Sequence, residues 1–127
     1  GLDVRRKDFP EGSVAIASYD PSLVVAGTNL YHLDMDLSVL SKYQIQSPQA
    51  LFFLDDKNLY EIHISANKCY CYDQKGTLIW RFNAEKIITE AKLTKNGLLL
   101  MTSNLLQYIS LRKTDDSERQ FSQFLEL

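Results

Sequence analysis

The chain has 127 residues, of which 45% are hydrophobic and 24% charged, and its formal net charge is −2. Six Phe, seven Tyr and one Trp exclude disorder as the main state and indicate a folded globular domain. The acidic balance argues against a nucleic-acid-binding module, which needs a basic surface, and no apolar run is long enough to span a bilayer.

A strand pattern dominates the sequence. Short apolar segments are separated by turn residues at intervals of about 8–12 positions, which is typical of an all-β fold. Asn96-Gly97 predicts a hairpin turn because both residues tolerate positive φ, and Gly76 is expected to take the left-handed position of its turn. In chain order, the predicted strands are SVAIASYD, LVVAGT, NLYHLDMD, VLSKYQI, ALFFLD, LYEIHIS, KCYCYD, TLIWRFN, IITEAKLT, LLLMTS and LLQYISL.

Residues 84–95, AEKIITEAKLTK, allow either a helix or a strand. Ile87, Ile88 and Ala91 can mark one face of a helix. The β-branched run Ile87-Ile88-Thr89 favours a strand, which is the structure we predict.

The C-terminal segment FSQFLEL is also open to two interpretations. Phe121, Phe124 and Leu125 have helical spacing, whereas Phe121, Gln123 and Leu125 would share one face of a strand. In either form we expect the aromatic side chains to be buried in this chain or in a partner. Phe121, Phe124 and Leu125 are therefore a candidate interface.

Three stretches of the chain resemble one another: AGTNLYHLD, SANKCYCYD and MTSNLLQYISL. Their asparagines, Asn29, Asn67 and Asn104, are separated by 38 and 37 positions. A period of about 37–40 residues with four short strands per repeat is typical of a β-propeller blade. We expect each asparagine to lie in the turn between the second and third strands and to bond the local backbone.

The fold class that this period predicts is an all-β partial β-propeller of about three four-stranded antiparallel blades. We predict the propeller segment at residues 13–127, with blades at 13–47, 48–84 and 85–127. Residues 1–12 are an N-terminal arm or, alternatively, the outer strand of a preceding blade. Segments such as LVVA and ALFFL are apolar on both faces, so both faces must be covered. A two-sheet β-sandwich also meets that requirement and is the alternative fold.

The second repeat, SANKCYCYDQKGTLIWRF, resembles the repeat of pyrroloquinoline-quinone-type propellers. The first repeat lacks the Gly and the Trp of this pattern, and the Gly-His and Trp-Asp pairs of WD repeats do not occur. The resemblance implies propeller architecture without the enzyme activity, which needs a full ring, bound calcium and a cofactor pocket. The positions that carry it are Asn67, Tyr70, Tyr72, Asp73, Gly76, Trp80 and Phe82.

Few residues suggest chemistry. Cys69 and Cys71 are two positions apart on a predicted strand, where a disulfide has poor geometry, so we expect reduced core thiols. His32 and His63 are interpreted as half-buried polar residues of separate strands.

Two carboxylate pairs, Asp34 with Asp36 and Asp55 with Asp56, are interpreted as solvated turns rather than as metal or acid–base sites. The sequence contains no Gly-rich phosphate loop and no HExxH or GxSxG motif. We therefore expect no catalytic residue, no metal site and no cofactor.

These patterns predict a non-catalytic β-propeller segment that acts as a protein–protein interaction scaffold within a larger assembly. Three blades leave two apolar faces, which a protein partner, further blades or a second copy would cover. We expect neither nucleic acid nor a membrane span, and the lack of a signal-peptide pattern favours the cytoplasm or nucleus. The alternatives are a ligand-binding or enzymatic propeller of quinoprotein type and a luminal sensor domain of the same repeat type.

Overall fold

The structure is a computed structural model that describes residues 2–12, 14–19, 22–111 and 122–126. This part of the chain contains twelve β-strands and no helix. The strands are β1 (Val14–Tyr19), β2 (Ser22–Ala26), β3 (Asn29–Leu33), β4 (Val39–Gln44), β5 (Leu51–Leu54), β6 (Asn58–Ile62), β7 (Lys68–Asp73), β8 (Leu78–Asn83), β9 (Glu90–Leu93), β10 (Gly97–Met101), β11 (Leu105–Ser110) and β12 (Ser122–Glu126).

The strands form three four-stranded antiparallel sheets, which we call sheets 1, 2 and 3 in chain order. Their strand orders are β1-β2-β3-β4, β5-β6-β7-β8 and β12-β11-β10-β9, so each sheet is a meander of sequence neighbours. The all-β prediction is confirmed. The two-sheet sandwich is wrong, because the strands form three separate sheets.

Neither ambiguous segment is helical among the described residues, and each contains a strand. The predicted strand in residues 84–95 is shorter than expected, because β9 begins only at Glu90 and Ile87–Thr89 belong to the connector. Strand β12 pairs with β11 in antiparallel register, which excludes the helical alternative for Ser122–Glu126.

The three sheets pack face to face in chain order. Leu59 on β6 lies in the cluster between sheets 1 and 2, whereas its neighbour Tyr60 lies in the cluster between sheets 2 and 3. Successive side chains of a strand point to opposite faces, so β6 is buried on both sides. We call the face toward the next sheet the forward face of a sheet, and the opposite face its backward face.

Equivalent cross-strand pairs make up each forward face. On the second and third strands these pairs are Leu23–His32 and Val25–Leu30 in sheet 1, Tyr60–Cys71 and Ile62–Cys69 in sheet 2, and Leu99–Tyr108 and Met101–Leu106 in sheet 3. Sheets 1 and 2 also share a register shift at the same place, between His32 and Leu33 and between Cys71 and Tyr72. The sheets are therefore structural repeats that stack head to tail.

Glycine is required at position 97 of the Asn96-Gly97 hairpin for a reason other than the positive φ that we expected. Gly97 begins β10, and its φ is not positive. A Cβ on Gly97 would overlap the ring of Tyr108, which lies directly over it. The hairpin forms as predicted, with Thr94 N donating to Gly97 O at 2.8 Å, but this glycine makes room for an aromatic ring.

Candidate functional site

The forward face of sheet 3 carries no further sheet in the part of the chain that the structure describes. Its apolar residues are Leu99, Met101, Leu106 and Tyr108. Met101 is 37% exposed, whereas the equivalent Val25 and Ile62 are 6% and 0% exposed under the next sheet. A groove of about 140 Å³ on this face is lined by Met101 and Leu106 and bordered by the charged Glu90 and Lys92. The same position is therefore buried in sheets 1 and 2, at Val25 and Ile62, and exposed in sheet 3, at Met101.

The backward face of sheet 1 is the second incompletely covered face. The register places Val14 and Ile16 of β1 on the same face as Ala26 and Val24 of β2. Ile16 is 76% exposed and Val14 is 48% exposed, although both are apolar residues of β1, a strand of sheet 1. Val14 and Ile16 therefore form an exposed apolar patch on this face.

The N-terminal arm, residues 2–12, contacts another part of that backward face through Phe9 and Glu11. The ring of Phe9 lies 4.9 Å from the ring of Tyr31, next to the buried Ala26 and Leu33. Glu11 accepts a hydrogen bond from Asn29 Nδ2 at 2.8 Å and one from the hydroxyl of Tyr31. Phe9 and Glu11 therefore hold the end of the arm nearest β1 to sheet 1.

Acid is expected to loosen this arm through Glu11. The hydrogen bond from Tyr31, helped by that from Asn29, lowers the pKa of Glu11 below its ordinary value of 4.5. A lowered pKa in the folded state means that the contact is fully present above pH 4.5 and is lost as the pH falls through the lowered value. In an NMR titration, the Asn29 side-chain amide should report a midpoint below 4.5.

The variant Tyr31→Phe should raise that midpoint toward the ordinary value, because it removes the largest cause of the shift. Tyr70→Phe is the matched control, since Tyr70 occupies the same register position in sheet 2, opposite Arg81 as Tyr31 is opposite Lys42. A midpoint that Tyr31→Phe leaves unchanged would contradict the assignment of the contact.

A buried carboxylate ties sheet 2 to the connector that leads into it. Glu61 on β6 is 0% exposed and accepts hydrogen bonds from the backbone N–H groups of Gln46 and Ser47 at 3.0 and 2.8 Å. The hydroxyl of Tyr72 donates to it at 2.8 Å, and His63 Nε2 lies 2.7 Å away. Both carboxylate oxygens are thus surrounded by donors, which compensates for the cost of burying the charge.

We call Glu61 and these hydrogen-bond donors the clasp, because they hold the connector against sheet 2. His63 is 16% exposed at its side chain, and its ring lies 5.1 Å from the ring of Tyr70. Burial, followed by the bond to Glu61, raises the pKa of Tyr72, so its hydroxyl stays a donor. His63 is partly buried, as predicted, whereas Glu61 was not predicted as a functional residue. The available signal was the spacing of Glu61 and His63, two positions apart in the predicted strand LYEIHIS.

The repeat asparagines are not all equivalent: Asn67 and Asn104 lie between the second and third strands, as expected, and Asn29 does not. Asn29 is the first residue of β3, whereas Asn67 and Asn104 precede β7 and β11. Thr28 is the true counterpart of Asn67, because Thr28 O accepts from Ile45 N as Asn67 O accepts from Ala84 N. The apparent spacing of 38 is therefore one residue out of structural register.

The expected bonds from these asparagines to the local backbone are wrong. Asn67 Nδ2 donates to Ala84 O at 3.1 Å, Asn104 Oδ1 accepts from Lys86 Nζ at 2.6 Å, and Asn29 bonds Glu11. In each case the partner lies in the segment that precedes the first strand of a sheet. These side chains fasten connectors rather than turns.

Asp73 and Gly76 form the turn between β7 and β8. Asp73 Oδ1 accepts from Lys75 N and Thr77 N, and Gly76 has a φ of 84°. Sheet 1 repeats this turn with Asp34, and there Leu37 takes the left-handed position with a φ of 65°. The turn survives without its glycine because the aspartate bonds hold it and Leu37 packs on the core.

Trp80 and Phe82 lie on β8 and are partly buried against the cluster between sheets 2 and 3. The ring of Trp80 lies 6.2 Å from that of Tyr60. Cys69 and Cys71, in the same cluster, are 0% exposed and not joined by a disulfide. Burial raises the pKa of the Cys69 thiol, which favours its neutral form.

The candidate interface at the C-terminus is only partly described. Phe124 and Leu125 lie on β12, opposite Gln107 and Leu106 of β11. Phe121 lies outside the described residues. The strand brings this segment to the edge of sheet 3 farthest from β9.

A polar cleft of about 260 Å³ opens between sheets 1 and 2. Burial lowers the pKa of His32 on its wall. Asp55, on the other wall, accepts from the backbone N–H groups of its own turn, as expected, and from the Tyr60 hydroxyl. Among the described residues, no group of three His, Cys, Asp or Glu side chains is placed to hold a metal.

No helix long and apolar enough to cross a membrane is found in the described part of the chain. No model of a known protein family matches the sequence, and no curated protein matches it.

Proposed function

We propose that this chain is a non-catalytic segment of a β-propeller that acts as a protein–protein interaction scaffold within a larger assembly. The observation that carries the proposal is the head-to-tail stacking of three equivalent sheets. The forward faces of sheets 1 and 2 each receive the backward face of the next sheet, whereas no described sheet covers the forward face of sheet 3. In this contact the forward face of one sheet meets the backward face of the next, so the two faces differ. An array of sheets built from such contacts forms a closed ring only when further sheets are added.

The position of the first strands supports a radial arrangement. β1 and β5 come within contact distance of each other. Sheets arranged around an axis converge at their innermost strands, so β1 and β5 would line the axis. The outermost strands would then be β4 and β8, and both carry exposed apolar residues such as Leu40 and Ile79.

The polar groups of the structure support a role without catalysis. Glu61 is enclosed by donors from its own chain, and Asp34, Asp55 and Asp73 accept the N–H groups of their turns. These carboxylates hold connectors and turns in place. The apolar faces are what remain available for a partner.

The size of those faces indicates a stable contact. A sheet that packs on another over its full width buries an area on the order of 800 Å² per side, as in a standard protein interface. We expect the contact to be mainly apolar, with Met101 and Leu106 near its centre on sheet 3.

The variant Met101→Asp in the full-length protein tests the proposal. It places a charge in the proposed contact, which should weaken it by about 2–4 kcal/mol, roughly 30-fold or more in affinity. Ile79→Asp is the matched control, because Ile79 is also 37% exposed but lies on the outer strand β8. Size-exclusion chromatography of cell extract should show the wild type and Ile79→Asp in one complex and Met101→Asp released from it. Identical elution of all three proteins would contradict the proposal.

A further inference from the structure

The N-terminal arm follows the course of a connector that arrives from a fourth strand. Phe9 precedes Ala15 by six positions, as Ile45 precedes Leu51 and Ala84 precedes Glu90. Ala15, Leu51 and Glu90 occupy equivalent positions on the first strands of the three sheets. Each pairs with the same forward-face position of the second strand, which is Val25, Ile62 and Met101 in turn. Ile45 and Ala84 directly follow the outer strands β4 and β8 and are buried between two sheets. Phe9 is packed on the backward face of sheet 1 in the corresponding place.

A second contact places the residues before Phe9 along the path of such an outer strand. In sheet 2, the turn at Gly76 lies against Lys42 of the preceding outer strand, so that a Cβ on Gly76 would be 2.7 Å from Lys42 O. The equivalent turn of sheet 1 contains Met35 and Asp36. Arg5 donates to Met35 O at 3.1 Å and to the carboxylate of Asp36. The side chain of Arg5 thus contacts this turn, as the backbone of Lys42 contacts the equivalent turn of sheet 2.

We infer that residues 3–8 are an outer strand donated to a partner: they add to the free edge of a three-stranded antiparallel sheet that packs on the backward face of sheet 1. This inference rests on the proposed function and identifies the partner of that face. Residues 3–8 correspond in position to β4, Val39–Gln44, and to β8, Leu78–Asn83. In the chain alone they are exposed and belong to no strand.

The chemistry of the arm agrees with an outermost strand. Arg5, Arg6 and Lys7 are adjacent basic residues, and charged side chains are typical of an edge that must remain in water. The apolar side chains left bare beside the arm, Val14 and Ile16, would be covered by the partner's own face. The partner therefore presents one apolar sheet face and one unpaired strand edge.

A second copy of this chain does not meet that description. Each of its sheets already has four strands, since β12 fills the edge of β11 in sheet 3. The arm would have to add a fifth strand there. The occupant we commit to is a different polypeptide segment with a three-stranded sheet.

Photocrosslinking in cells that make the full-length protein tests this inference. The variants Val4→p-benzoylphenylalanine and Ile16→p-benzoylphenylalanine place probes at residues that are 81% and 76% exposed. We expect both probes to capture the same partner, with the Val4 probe joined to a strand edge and the Ile16 probe to a sheet face of that partner.

Two proline variants test whether the backbone of the arm forms hydrogen bonds with a strand of the partner. Successive N–H groups of a strand point to opposite sides, so Arg5→Pro and Arg6→Pro should differ: one removes a hydrogen bond to the partner and the other does not. We expect one of them to lower capture by the Ile16 probe about tenfold, and Arg5→Ala and Arg6→Ala to lower it much less. We expect the four variants to have the melting temperature of the wild type, because the substituted residues are exposed. Any change in capture then reflects the contact with the partner and not the stability of the chain.

The possible outcomes separate this inference from the proposed function. If the Ile16 probe captures the partner equally well in the wild type, Arg5→Pro and Arg6→Pro, strand donation is overturned and the scaffold proposal stands. Capture of a second copy by both probes would also overturn it. If the Ile16 probe and a third probe, Met101→p-benzoylphenylalanine, both capture nothing, the proposed function fails as well.

Discussion

Glu61→Ala is expected to lower the free energy of unfolding by about 3–5 kcal/mol, because it leaves several buried donors without an acceptor. The carboxylate is 0% exposed and receives the N–H groups of Gln46 and Ser47 and the hydroxyl of Tyr72. Urea denaturation followed by the fluorescence of Trp80 measures the change. The loss should also loosen the connector, seen as faster amide exchange at Ser47.

Two controls separate the clasp from simple truncation. Glu61→Gln keeps the size and one acceptor oxygen and should cost clearly less than the alanine variant. Glu90→Ala removes an exposed carboxylate of the same length from β9 and should stay within about 0.5 kcal/mol of the wild type. If Glu61→Ala were as mild as Glu90→Ala, the clasp would not stabilise the stack of sheets.

Gly76→Ala is expected to cost about 2–4 kcal/mol, for two reasons that add. Gly76 has a φ of 84°, which an L-residue with a side chain rarely adopts, and its missing Cβ admits the carbonyl of Lys42 from sheet 1. The clash is with backbone, so a side-chain rotation cannot relieve it.

Gly12→Ala is the matched control for backbone strain. Gly12 has a φ of 94°, but a Cβ there would meet nothing within 4 Å. It should therefore show only the conformational cost, about 1–2 kcal/mol. The difference between the two variants, measured by thermal unfolding, is the cost of the clash between sheets. Equal effects would mean that sheets 1 and 2 are not in close contact at this turn.

The elements that could be predicted are those set by local patterns. Alternating apolar residues and turn residues located most strands, and the Asp73–Gly76 turn followed from its residue types. The turn at Asp34 and Asp36 was also predicted, but its equivalence to the Asp73–Gly76 turn was not recognised, because Leu37 takes the place of the glycine. Local sequence therefore locates a turn from its aspartate but does not show that a leucine adopts the left-handed conformation there.

The parts that escaped prediction depend on contacts distant in sequence. The asparagine alignment was one residue out because Asn29 is the first residue of β3, whereas Asn67 directly precedes β7, and only the equivalent backbone bonds of Thr28 and Asn67 reveal the structural register. Glu61 has no motif, since its partners Gln46 and Ser47 come from a connector 14 or more positions away. The arm was open to two interpretations, and its contacts with Tyr31 and Asp36, on which the inferred outer-strand path rests, join residues 20 and 31 positions apart.

Sedimentation equilibrium of the isolated chain over a range of salt concentrations tests the central claim most directly. The claim is that three head-to-tail sheets leave two apolar faces that require a partner. It predicts that the isolated chain associates beyond its 14.6 kDa monomer, with little dependence on salt because the contact is apolar and the net charge is only −2. A stable monomer at all concentrations and salt conditions would contradict the account.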